Sequence, residues 1–160
     1  MKTIKQVGLA ILIISIMIGP LGHFLALRNL SPDLAVLVCW AYAWFGDKYD
    51  GYRMALLIGL PLDLIFFLPV GVWLGSLLLV VSLIVYLKTR LMNVFSMFHA
   101  LLSLIISTMF VVIIFGALNH TFSPLILLNT VGLNILIGLI IFSIVGTRIR
   151  LFQRWAGRRI

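Results

Sequence analysis

The sequence predicts an all-α polytopic membrane protein with six transmembrane helices and both termini on the cytoplasmic side. Three observations carry this. Hydrophobic residues make up 63% of the 160 positions and charged residues only 10%, whereas soluble domains average about 45–50% apolar and about 25% charged. The mean hydropathy is +1.24, so a water-soluble globule would have almost no polar surface to present. The apolar residues also fall into segments near the length needed to cross a bilayer, about 20 residues each.

Cutting the chain at charges, prolines and polar clusters gives spans of about 7–27, 33–45, 54–68, 70–87, 94–118 and 125–147, followed by a basic tail, 148–160, in one integral membrane domain. Lys2 and Lys5 ahead of the first span imitate a signal peptide, but the apolar run is longer than a usual signal core and no small-residue cleavage site follows. It is read as a retained span, bent at Pro20. The second span is short, follows Ser31-Pro32 and starts with Asp33, an oxygen-bearing residue suited to capping free N–H groups. The second and third segments are too short to cross unaided, which predicts tilt, local thinning or shelter inside a bundle. Outer loops are expected at 28–32, around Pro69 and at 119–124.

Charge sets the orientation. With the N-terminus inside, Lys2, Lys5, Lys48, Arg53, Lys88, Arg90 and the tail residues Arg148, Arg150, Arg154, Arg158 and Arg159 are cytoplasmic, eleven in all, against Arg28 alone outside. That asymmetry follows the positive-inside rule. Trp44, Tyr49, Tyr52 and Tyr86 would mark the inner interface, and Trp73 and Phe122 the outer one. The net charge of +8 does not imply nucleic acid, because no recognition module accompanies it. A basic tail directly after a span reads as an anchor at anionic lipid.

The chemistry-bearing residues are few. There is no Glu, and the four Asp residues are scattered. His23, His99 and His120 lie on separate segments without ligand spacing, so no metal or cofactor is expected. No nucleophile elbow or phosphate loop is present, so the sequence predicts a non-enzymatic protein. Cys39 is the one cysteine and cannot form an internal disulfide.

Asp63 stands out in the run Gly59-Leu60-Pro61-Leu62-Asp63-Leu64-Ile65-Phe66-Phe67. An Asp at a helix centre costs about 2.5–3.5 kcal/mol to insert, and each Leu, Ile or Phe returns about 0.3–0.6 kcal/mol. The ten Leu, Ile and Phe residues of 54–68 offset that cost only if the carboxylate faces the bundle or a wet cavity. Gly59 lies four residues earlier on the same helical face, where it lets another helix approach. Pro61 frees the Leu57 carbonyl. Asp63 is therefore read as a hydrogen-bond anchor, with an ion or proton carrier working through Asp63 and His99 as the functional alternative. Asn at position 63 should be tolerated by an anchor and not by a proton carrier. Gly71 and Gly75 form a G-x-x-x-G pattern, expected to mark close helix packing. Ser96, His99, Ser103 and Ser107 share one face, as do Asn134 and Gly138, and both sets read as interhelical glue.

The stretch from Pro32 to Gly75 resembles the MreD family of bacterial rod shape-determining membrane proteins. The resemblance rests on Pro32 before a short aromatic-rich span with Trp40, Tyr42 and Trp44, then on Gly59, Asp63, Leu64, Pro69 and Gly71 in the family's order. In length and layout it extends over the whole chain. Where the family has small or polar residues between the Asp and the Pro, this chain has Ile65-Phe66-Phe67-Leu68. The resemblance implies a scaffold of the cell-elongation complex in the inner membrane, without cofactors. It would bind a single-span MreC-like partner and act with a RodA-type glycosyltransferase, a class B transpeptidase and, indirectly, the MreB filament in peptidoglycan synthesis. It implies structural or partner-contact roles for Pro32, Gly59, Asp63, Pro69 and Gly71; Gly75 joins them through the G-x-x-x-G pattern, and the apolar Phe66 and Phe67, which depart from the family, are the candidate surface for a partner to cover. The layout is also similar to the substrate-binding membrane subunits of energy-coupling-factor transporters, so a vitamin-like small-molecule binder is the competing reading.

Overall fold

The structure is a computed structural model and describes residues 2–19, 33–46, 48–65, 71–90, 97–118 and 123–156. These residues form six helices: α1 (Lys2–Ile18), α2 (Leu34–Phe45), α3 (Lys48–Ile65), α4 (Val72–Arg90), α5 (Met97–Leu118) and α6 (Pro124–Ala156). Three contain stretches long and apolar enough to cross a membrane: Val72–Thr89, Met97–Phe115 and Leu127–Val145.

The helix ends follow local chemistry. Asp33 caps α2, its Oδ1 accepting from the Val36 amide at 3.1 Å, as its position before the second span predicts. Pro124 opens α6 at the first helical position, where a missing N–H costs nothing. α3 begins at Lys48, about a turn and a half ahead of the predicted apolar span 54–68. Asp50 lies in its first turn, where a carboxylate favours the positive end of the helix dipole. α6 runs unbroken for 33 residues, about 50 Å, so Arg148, Arg150 and Arg154 of the basic tail stand on the same continuous helix. Arg158 and Arg159 lie outside the described residues, as do the bend at Pro20 and the outer loop 28–32.

α2 is the hub. Its twelve residues span about 18 Å, and α1, α3, α4, α5 and α6 all pack around it. Ala35, Val36, Leu37, Cys39, Trp40, Ala43 and Trp44 are buried. Of the expected remedies for a short apolar segment, shelter in the bundle is the one adopted. Trp44, expected at the membrane interface, is instead only 2% exposed and belongs to this core.

Several polar residues are buried, while many large apolar ones face outward. Gln6, Asp50, Asp63, Ser103, Ser107, Thr108 and Asn134 are all buried, while Phe98, Leu128, Leu136, Ile140 and Ile144 are exposed. The three long apolar stretches bury only 28%, 33% and 22% of their residues inside the chain. Large side chains such as these need an apolar medium around the bundle, and lipid supplies it.

Candidate functional site

Of the sequence-predicted residues, Gly59, Asp63 and Gly71 meet where the end of α3 packs against the start of α4. Asp63 is 1% exposed. Its Oδ2 accepts from the Gly71 amide at 2.8 Å and the Leu74 amide at 3.2 Å. Its Oδ1 accepts from the Trp73 amide at 2.6 Å. The first amides of a helix have no partner within it, and here one carboxylate from the preceding helix takes three of them. The charge also meets the positive end of the α4 dipole. This explains why an expensive residue is placed in an apolar run.

Gly59 and Gly71 make the geometry possible. A Cβ on Gly59 would lie 2.7 Å from the Leu74 Cα and 3.1 Å from its amide nitrogen, so only glycine lets the two backbones approach this closely. Gly71 has φ +111°, a left-handed conformation that any side chain would strain. The G-x-x-x-G expectation is corrected. Among the described residues no atom lies within 4 Å of a Cβ built on Gly71 or Gly75, so the pattern packs no described helix against α4. Gly71 is a turn residue, and the close approach belongs to Gly59. Pro32, Phe66, Phe67 and Pro69 lie outside the described residues.

At the opposite end of α4, Lys88 performs the complementary task. Its Nζ donates to the carbonyls of Trp44 at 2.8 Å, Gly46 at 3.2 Å and Ala43 at 3.4 Å. These are the free acceptors at the C-terminus of α2, where a cation also favours the dipole. Sequence reasoning assigned Lys88 to orientation alone, and nothing local in the sequence points to a helix 42 to 45 residues away. Lys88→Met is expected to lower stability by about 1–3 kcal/mol, read as a lower midpoint in a thermal or denaturant scan of the detergent-solubilised protein.

A third polar junction ties α2, α5 and α6 together. The Asn134 Oδ1 accepts from the Asp33 amide at 3.0 Å, and its Nδ2 donates to the Thr108 hydroxyl at 3.0 Å. Trp40 Nε1 donates to the Ala100 carbonyl at 3.1 Å and to the Ser103 hydroxyl at 3.0 Å. Ser107 bonds back to the Ser103 carbonyl at 2.7 Å. Gly138 admits the Leu104 side chain between α5 and α6. The buried Nδ1 of His99 has no hydrogen-bond partner among the described residues.

Asp63 and His99 are thus engaged in different junctions, Asp63 with α4 amides and His99 against the Phe98 ring at 5.8 Å. The polar groups of the α3–α4 corner, the Lys88 cap and the Asn134 junction are bonded to other parts of the same chain. Comparison with protein-family models, with curated proteins and with solved structures returns no match.

Proposed function

We propose that this chain is a non-enzymatic membrane scaffold of the MreD type. It spans the bacterial inner membrane six times, with both ends in the cytoplasm. It binds a single-span MreC-like partner and supports peptidoglycan synthesis and rod shape alongside a RodA-type glycosyltransferase, a class B transpeptidase and the MreB filament.

The observation that carries this reading is where the polarity goes. Asp63, Lys88 and Asn134 each hold the end of a helix. Their hydrogen bonds fix the shape of the bundle. What the bundle offers outward is helix faces rich in Leu, Ile and Phe. Such faces suit contact with lipid and with the spans of other membrane proteins, where packing and occasional polar contacts drive association. The residues carrying the family resemblance, Gly59, Asp63 and Gly71, set the relation of α3 to α4, and so the shape of a lateral surface.

The test is purification in mild detergent, followed by identification of what travels with the chain, together with depletion in a rod-shaped host. The expected result is one equivalent of a single-span protein with a large extracytoplasmic domain, and round cells on depletion. A tightly bound metabolite with no such partner would sink the scaffold reading.

A further inference from the structure

The register of the α3–α4 seam is fixed by three contacts. The Tyr52 hydroxyl and Ser82 Oγ lie 3.2 Å apart, Gly59 faces the Leu74 backbone, and Gly51 faces Val81. The two helices are therefore antiparallel neighbours. By this register Arg53 lies about level with Val80 and Leu56 about level with Leu77, and the far end reaches Gly75. Arg53, Leu56, Leu79 and Tyr86 are all exposed.

Arg53 makes no ion pair or side-chain hydrogen bond among the described residues. The two acids nearest to it on α3 point elsewhere. Asp50 is 3% exposed and accepts from Gln6 at 3.2 Å, while Asp63 is occupied by α4 amides. No Asp or Glu follows residue 63. Among the described residues, a permanently charged guanidinium thus stands on the outward side of the hairpin without a counter-charge. α3 begins at Lys48, five residues earlier, about 7.5 Å along the axis, and α4 ends at Arg90. Arg53 is therefore at the basic end of the hairpin, within a long side chain's reach of the headgroup layer. A guanidinium takes phosphate oxygens in bidentate fashion.

Beyond this polar end the seam becomes apolar. Leu56 and Leu79 are exposed, and the space around a Cβ built on Gly75 is open. From the level of Arg53, opposite about Val80, to Gly75 is five residues of α4, about 7.5 Å, the headgroup half of one leaflet of a hydrocarbon core about 30 Å thick. A cation with tyrosine beside it, next to exposed leucines and open space at Gly75, matches an amphipathic anion.

We propose that the α3–α4 seam binds one anionic phospholipid, its phosphate on the Arg53 guanidinium and an acyl chain along Leu56, Leu79 and Gly75. This rests only on the chain lying in a bilayer and is independent of the scaffold partner.

The test uses the full chain in detergent micelles supplied with equal amounts of phosphatidylglycerol and phosphatidylcholine, with retained lipid counted by native mass spectrometry. One phosphatidylglycerol is expected to be retained about tenfold over phosphatidylcholine. Arg53→Gln should lose about tenfold in that retention, Arg53→Lys less, as the loss of a charge-assisted bidentate contact predicts. Gly75→Leu fills open space, so it should keep the wild-type melting temperature and still lose the lipid. It carries the test if Arg53→Gln fails to fold. Changing the five tail arginines to glutamine should leave retention intact. Equal retention of the two lipids, unchanged retention in Arg53→Gln or Gly75→Leu, or loss in the tail variant would overturn the proposal.

Discussion

Asp63→Ala is expected to lower the free energy of unfolding by about 3–5 kcal/mol, from hydrogen bonds to a charged group worth about 1.5–3 kcal/mol each and not fully additive. The measurement is a denaturant or thermal titration of the purified protein in micelles. The size follows from the partners. Three amides at the start of α4 lose their acceptor at once, in a bundle whose apolar surroundings offer little water as a substitute. The Lys88 cap is expected to matter less, because its carbonyls lie at the basic end of the bundle, where water reaches more readily. Asp63→Asn separates charge from shape. The sequence alone suggests that an anchor tolerates it. The geometry revises this, since both carboxylate oxygens accept from amides. An Asn offers one acceptor and sets its own N–H₂ against a backbone N–H. About half the loss of Asp63→Ala is expected. A wild-type melting curve for Asp63→Ala would mean that the α4 amides find other acceptors and that the corner does not depend on this carboxylate.

The readable part of the architecture was the part set by local sequence. An apolar excess and segment lengths near a bilayer's thickness predict a helical membrane protein, and the helices and three apolar stretches of the structure agree with it. Asp33 as a helix cap and Gly59 as a point of close approach were legible because capping and small-residue packing each act within a turn or two of helix. The errors have a common physical cause. α3 begins ahead of its predicted apolar span because the charges of Lys48, Asp50 and Arg53 break an apolar run without breaking a helix. Trp44 was placed at the interface because amphipathic aromatics favour it, but neighbours distant in sequence enclose it. Gly71 and Gly75 match a packing pattern by spacing alone, whereas spacing does not reveal a positive φ or an empty flank. Lys88 and Asn134 hold helix ends 42 to 101 residues away, and no local signal encodes such pairings.

Gly59→Ala is expected to cost about 1–3 kcal/mol, the usual range for overpacking a tight contact, measured by the same titration. Alanine gains up to about 1 kcal/mol in helix propensity over glycine, so a neutral site would be stabilised. The expected sign is the opposite because the added methyl meets the Leu74 backbone at 2.7 Å, which cannot rotate aside as a side chain would. The helices must separate, and Asp63, one turn along the same face, is drawn away from the amides it caps. The two residues therefore act on one quantity, the distance between α3 and the first turn of α4. Their effects should not add. The double variant Gly59→Ala/Asp63→Ala is expected to lose about 1–2 kcal/mol less than the sum of the single losses, the coupling seen between residues that share a contact. Strict additivity would show that close approach and capping are independent. The corner would then be two separate devices rather than the single joint that sets how the α3–α4 hairpin presents its outer face.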